Sequence, residues 1–334
     1  MRLAMFNPAA MQATQVIGDS FPKRLLDPIG VEYSLEQAPQ RIVSLTLASD
    51  EILAALVAPE RLVGVTYLAD NPSSSSVVGH YPDNIARVRG EAESIISLQP
   101  DLVFVASYTQ AESVSLLINA GILVVRLPDA DSLMAISNNI RLIGQITDAT
   151  LQAEQLIQRL HTIEQDLLLK TQRAMETRMA NDQASKTLAT LFFSPSGYSA
   201  AAGSLADEML TQLGGHNVLA ATGLKGMPKI STEMAIALQP EVILMTGWYP
   251  DMPITPAQQL LQNPLWQAVP AVKNQRVYDL SGPWSSAVSQ FTWQALQQMQ
   301  TLLYPSTITS ARTQHPYQER HQDLTEDQHQ GLSP

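Results

Sequence analysis

The chain of 334 residues contains no cysteine. That single absence removes disulfides, thiolate metal ligands, thiol nucleophiles and a lipid anchor carried on cysteine. No stretch approaches the ~18 consecutive apolar residues of a membrane-spanning helix. Positive charge is scarce: 20 Lys and Arg face 31 Asp and Glu, for a net charge of -11 and a pI near 4.9. Nucleic acid and anionic membrane surfaces are disfavoured as partners, because both need a basic face. A basic patch on another protein remains compatible with this charge.

Motifs for phosphate, zinc and acyl chemistry are missing too. There is no GxxxxGK[ST], no GxGxxG after a strand, no HExxH, no EF-hand loop and no GxSxG. The six histidines, His80, His161, His216, His315, His321 and His329, include no pair at i,i+4 spacing. No resident metal site, cofactor or catalytic residue is therefore expected, although His80 and His216 stand where each could touch a bound metal complex. Residues 1–20 lack a basic start followed by an apolar core, so no signal peptide is visible. On this ground an exported and a cytoplasmic location both stay open.

What is present is organised around residues 151–180, a run without Gly or Pro. Ala153, Leu156, Leu160, Ile163 and Leu167 recur every three or four residues, which predicts one apolar helix face, with Asp148 and Thr150 as candidate N-caps. Such a helix is a strut of about 45 Å. On either side of it lies an echo. The segment from Glu93 to Phe104 (ESIISLQPDLVF) is matched in type at most positions by the segment from Glu233 to Leu244 (EMAIALQPEVIL), with Leu-Gln-Pro identical. Each predicts a short helix opened by an acid, stopped ahead of proline and followed by a buried strand.

The order of elements supports an α/β fold with mainly parallel sheets. Strands are expected over 41–46, 62–66, 102–106 and 122–127, with a helix capped by Ser49, Asp50 and Glu51 running to Val57, and further helices over 111–120 and 133–146. Residues 67–90, rich in Ser and Pro, are expected to form a long loop. Beyond the strut come a strand over 187–193, a helix over 205–213, a Gly-rich loop, a helix over 256–262 and a strand over 276–280. A turn at Gly282-Pro283-Trp284 and a helix over 288–303 complete the pattern. The domain plan is a lead-in (1–40), a first lobe (41–147), the connecting helix (148–182), a second lobe (187–305) and a disordered tail (306–334). Two similar lobes are thus joined by one long helix.

Aromatic residues make up only 6% of the chain, so their positions carry information. In α/β folds ligands gather outside the carboxyl ends of the strands. Tyr67, Tyr108, Tyr198, Trp248 and Trp284 each follow a predicted strand, where they would line a cleft suited to a large flat or amphipathic ligand. Arg87 and Arg89 precede the first repeated unit, and Lys225 and Lys229 the second, placed to neutralise an anionic ligand. Glu93 and Glu233 sit in the first turn of their helices, where a carboxylate favours the helix dipole. Their matched placement also suits a paired docking role.

Taken in order, several segments resemble one family. These are Asp27-Pro-Ile-Gly30, Gln40 to Thr46 (QRIVSLT) with Glu51-Ile-Leu, Leu62 to Thr66 (LVGVT), Glu93 to Val103, Gly197 to Gly215 with Asn217, Ile230-Ser-Thr-Glu233, Asn263-Pro-Leu-Trp266 and Gln275-Arg-Val-Tyr278. Together they resemble the class III substrate-binding proteins of ABC importers, the helical-backbone receptors for ferric siderophores, haem and cobalamin. The resemblance covers residues from about Leu26 to Pro305. It implies a monomeric, non-enzymatic, periplasmic receptor whose ligand is a metal chelate and whose partner is a permease dimer with its ATPase.

Glu93 and Glu233 would then be the lobe-surface glutamates that meet permease arginines. Arg87 would resemble the loop arginine of ferric hydroxamate receptors, with Tyr108 one residue from the tyrosine there. Tyr67, Tyr198 and Trp248 resemble the aromatic contacts of cobalamin receptors, and Tyr67, Tyr108 and His80 keep haem open. A cytosolic tetrapyrrole- or chelate-handling protein or enzyme on a similar scaffold is the alternative.

Overall fold

Two all-parallel sheets, one on each side of a long helix, set the architecture. The computed structural model describes residues 15–26, 32–180, 187–248 and 252–305. The segment expected as a lead-in carries three short strands, β1 (Gln15–Ile17), β2 (Lys23–Leu26) and β3 (Glu32–Leu35), paired antiparallel in that order. Its anchor is Lys23, buried, whose ammonium donates to the Gln145 carbonyl at 2.8 Å.

The first lobe runs β4 (Ile42–Ser44), α1 (Leu47–Leu56), β5 (Leu62–Thr66), β6 (Ala86–Val88), α2 (Ala92–Ser97), β7 (Leu102–Val105), α3 (Ala111–Asn119), β8 (Leu123–Arg126) and α4 (Leu133–Ile146). Its sheet has the order β6-β5-β4-β7-β8. The strut follows as α5 (Thr150–Ala180), 31 residues and about 46 Å long. The second lobe runs β9 (Leu188–Phe193), α6 (Leu205–Gln212), β10 (Gly215–Asn217), α7 (Thr232–Ala237), β11 (Val242–Trp248), α8 (Pro256–Gln262), α9 (Pro270–Lys273), β12 (Val277–Ser281), α10 (Gly282–Ser285) and α11 (Thr292–Leu303). Its sheet order is β10-β9-β11-β12. No helix among the described residues is long and apolar enough to cross a membrane.

The echoed segments are structurally the same unit. Gln99 and Gln239, at the centre of the two Leu-Gln-Pro sequences, both take left-handed backbone (φ 51° and 47°) and both donate N–H to the carbonyl three residues back. The acid that follows each proline then performs the same task. Asp101 accepts from the backbone N–H of Gln40 and Arg41 (2.7 and 3.0 Å), and Glu241 from that of Ala189 (3.1 Å). Each acid thereby satisfies donors at the entry to its lobe's first strand, β4 or β9, which would otherwise be left over at the sheet end.

Several expectations are corrected. The N-cap of α1 is Thr46, whose hydroxyl accepts from Ser49 N at 3.0 Å, and Asp50 and Glu51 lie inside the helix, buried. The long loop after Thr66 contains a 3-10 turn (Tyr67–Asp70) and the edge strand β6. Trp248 is the last residue of β11 rather than part of a loop, Gly282–Ser285 is a helical turn, and α11 starts at Thr292. Residues 181–186 and the tail from 306 lie outside the described residues. On the strut, Ala153, Leu156, Leu160 and Leu167 are buried as predicted, together with Ile157 and Thr171, but Ile163 is 39% exposed. Periodicity identifies a helix face and not the thickness of the cover over it.

The strut face gives a direct test. Leu160→Ala should destabilise the protein by about 2–5 kcal/mol in urea unfolding, whereas Ile163→Ala should cost less than about 1 kcal/mol. Equal losses would show that the strut packs through a different face.

Candidate functional site

The first lobe reverses strand order at β4, with β5 on one side and β7 on the other, so a crevice opens at the carboxyl ends of these strands. A cavity of about 220 Å³ occupies that position, lined by Thr66, Tyr67, Val88, Arg89 and Tyr108 among others. Tyr67 is 41% and Tyr108 79% exposed. The Arg89 guanidinium lies 3.9 Å from the centre of the Tyr67 ring, a cation stacked on a π face at the cavity wall. A larger and more open hollow of about 400 Å³ lies between α5 and α6, beside Thr171 and Gln212. It stands away from the strand ends, so the smaller cavity is the better candidate despite its size.

Arg87 has a different occupation. Its guanidinium forms a fork on Asp70 (2.7 and 3.1 Å) and donates to the carbonyls of Tyr81 and Ile85 (2.9 and 2.7 Å). It closes the loop between β5 and β6 on itself. Arg89, one residue beyond the end of β6, presents its charge to the cavity instead.

That loop is further clamped from below by two adjacent carboxylates, both 0% exposed. Asp50 accepts from Thr66 N (3.2 Å) and Thr66 Oγ1 (2.5 Å), and the Tyr81 hydroxyl donates to the Asp50 carbonyl. Glu51 accepts from Ser76 N at 3.0 Å and from Ser289 Oγ, of the second lobe, at 2.5 Å. Burial pushes both carboxyls up to about 7, against the opposing pull of these hydrogen bonds, and the same burial raises the Tyr81 hydroxyl well above its ordinary value. Sequence reasoning placed Glu51 only as a cap. The missed signal was spacing: Asp50 and Leu53 fall at i and i+3, so Asp50 shares the buried stripe of α1.

The second lobe presents its own strand ends. After β9, residues 194–203 pair with 224–230 through Ser199 N to the Pro228 carbonyl, Ala201 N to the Gly226 carbonyl and a bridge between Tyr198 and Lys229. Gly197 (φ +85°) is required there, because a Cβ would lie 3.1 Å from the Ile230 carbonyl. Tyr198 is half-exposed on this ribbon, and Trp284 packs partly buried on the core at the end of β12. Neither lines the first-lobe cavity, and the side chain of Trp248 lies outside the described positions. His80 stacks edge-on against Tyr81 at 5.0 Å and is likewise not part of the cavity wall. No three His, Asp or Glu among the described residues converge as a metal site.

Glu93 and Glu233 are both exposed in the first turns of α2 and α7. Hydrogen bonds from its own backbone N–H and from Ser231 hold the Glu233 carboxyl below its ordinary value, so it stays charged.

Two lobes on a helical strut, with aromatic and cationic side chains at the strand ends, define a ligand receptor. Residues 42–283 match the family described as periplasmic binding protein. The chain belongs to that family and has its helical-backbone, class III architecture. It is 25% identical over 302 residues, 90% of each chain, to an uncharacterised ABC transporter substrate-binding lipoprotein, YvrC, of Bacillus subtilis. It is 23% identical to the molybdate-binding protein MolA of Haemophilus influenzae, over 80% of this chain and 77% of the relative. Among solved structures, the periplasmic heme-binding protein RhuT of Roseiflexus superposes with a TM-score of 0.65 at 26% identity, covering 79% of this chain and 98% of the other.

The buried acids make stability pH-dependent. Their carboxyl pKa values are raised in the fold above 3.8 and 4.5, so the associated stability is complete below about pH 4 and is lost as the pH rises through about 7. The thermal midpoint should fall by several degrees between pH 5 and pH 8.5, and less in Glu51→Gln. A midpoint rising over that range would contradict the assignment.

Proposed function

We propose that this chain is the substrate-binding component of an ABC importer, working outside the cytoplasmic membrane as a monomer, and that its cargo is an anionic or polar metal chelate. The observation that carries the reading is the cavity at the strand-order reversal, walled by Tyr67, Tyr108 and the Arg89 cation stacked on Tyr67. Rings supply broad apolar contact, and the guanidinium supplies a forked donor for carboxylate, hydroxamate or oxyanion oxygens. On this reading Tyr198, at the strand ends of the second lobe, is a further candidate contact for the cargo. Relatives named for vitamin B12, haem and molybdate support a small metal-containing cargo. Binding is non-covalent, and no residue changes chemically.

Delivery uses Glu93 and Glu233. One exposed acid leads the equivalent helix of each lobe, so a permease dimer with two basic sites engages both at once. Release follows because the docked permease favours a state of the lobe pair that holds cargo more weakly, which requires differential affinity for the two states.

The test is a titration with a ferric hydroxamate siderophore, haem, cyanocobalamin and sodium molybdate, followed by tryptophan fluorescence and the chromophore spectra. One of the three chelates should bind saturably at micromolar affinity or tighter, and failure of all three, or binding of molybdate alone, would overturn the chelate reading. For the ligand that binds, Arg89→Ala should weaken affinity about tenfold or more, while Arg87→Ala should mainly lower stability by opening the Asp70 fork. In cells, reversing both charges with Glu93→Arg and Glu233→Arg should abolish uptake at unchanged affinity, and a parallel loss of affinity would rule out the docking role.

A further inference from the structure

The lobes touch through more than the strut. Ser289 Oγ and Gln290 Nε2, from the segment that leads into α11, reach across to α1 of the first lobe, to the Glu51 carboxylate (2.5 Å) and the Glu51 carbonyl (2.6 Å). The other carboxylate oxygen of Glu51 holds Ser76 N, in the loop that ends at the cavity wall. Glu51, Ser289 and Gln290 are each less than a tenth exposed. A single side chain thus ties the second lobe to the loop bounding the candidate cavity.

We propose that Glu51, with Ser289 and Gln290, is an interlobe latch that sets the separation of the lobes and is loosened when Glu51 becomes charged. The geometry permits both protonation states to be satisfied but not equally. Glu51 Oε1 faces an N–H and can only accept. A proton on the carboxyl therefore sits on Oε2, where it donates to Ser289 Oγ, while Ser289 Oγ also accepts from Phe291 N at 3.2 Å. The uncharged latch keeps the contact with the direction of its bond reversed, turning the Ser289 hydroxyl proton away from Glu51, and carries no buried charge. The charged latch gains a stronger hydrogen bond from Ser289 but holds an ion out of water with no cation beside it, and partial separation of the lobes would hydrate it.

The surroundings sharpen the sign. On its own helix Glu51 has Asp50 as neighbour, which is pushed in the same direction by burial and by Glu51 itself. The loop contributes Tyr81, whose hydroxyl is raised by burial and both acids, with Arg87 acting on it in the opposite sense. The residues opposite, 287–293, contain no titratable side chain, nor do the buried positions of α4 and α5. One further carboxylate crosses the junction: Glu208 of α6 accepts from Leu133 N at 3.0 Å, and burial, Glu164 and Asp131 raise it. The latch is therefore tight at low pH and loosens as the pH rises through neutrality.

Because the chain has no cysteine, the exposed pair Ser97→Cys and Lys273→Cys, one per lobe, gives a clean double spin label on the full-length protein. Pulsed dipolar distances at pH 5.5 and 8.5, without ligand, read the latch directly and do not depend on what the cleft binds. The expected result is a narrow distribution at pH 5.5 that broadens or moves to longer distance at pH 8.5. Glu51→Gln, which reproduces the hydrogen bonds of the uncharged carboxyl, should stay narrow at both. Ser289→Ala, a small change on the opposite lobe, should be broad at both. A wild-type distribution insensitive to pH and to Ser289→Ala overturns the proposal. So does a full pH response retained in Glu51→Gln, which would assign the titration to Glu208 or Asp50.

Discussion

The structure depends on two buried acids at the start of one helix. Asp50 and Glu51 are adjacent in sequence and fully buried, and between them they hold Thr66, Ser76, Tyr81 and Ser289. Thr66 is the last residue of a central strand and immediately precedes the cavity tyrosine. Without these acceptors the loop after β5 would have unpaired donors beneath it, each costing about 1–3 kcal/mol in a buried setting. With them the loop becomes a braced wall, and the Arg87 fork on Asp70 closes its far end.

The repeated unit explains why the exposed acids and the strand-end side chains occupy different surfaces. The Leu-Gln-Pro unit sends its acid-led helix to the outside and its strand to the sheet, with the same left-handed glutamine and the same strand-entry carboxylate in both lobes. Exposed acids therefore recur on the outer helices, while the strand ends, which differ between lobes, carry the aromatic and basic side chains. The strand ends can therefore diverge without disturbing the repeated surface.

Much of this was legible in the chain. The strut, the two parallel sheets and the repeat follow from apolar periodicity and from proline's local exclusion of helix, both of which act over a few residues. The strand-end tyrosines of the first lobe were legible for the same reason, since topology alone places Tyr67 and Tyr108 together. What was hidden depends on contacts distant in sequence. The bond from Ser289 to Glu51 spans 238 positions. The choice between Arg87 and Arg89 was decided by Asp70, 17 residues upstream of Arg87 and unmarked by any pattern. The cover missing over Ile163 likewise belongs to neighbours that periodicity does not count.

The strut has one consequence beyond separating the lobes. Its buried face belongs to a continuous apolar cluster that includes Ile52, Phe104 and Ile140 of the first lobe, Leu156, Leu160 and Leu167 of the strut, and Phe192, Leu244, Trp293 and Leu296 of the second. Two lobes with separate sheets thus share one interior. Neither half could expose its side of that interior without leaving the other with an apolar wound, so the molecule is bipartite in shape but unitary in melting: a single cooperative unit whose halves stand or fall together.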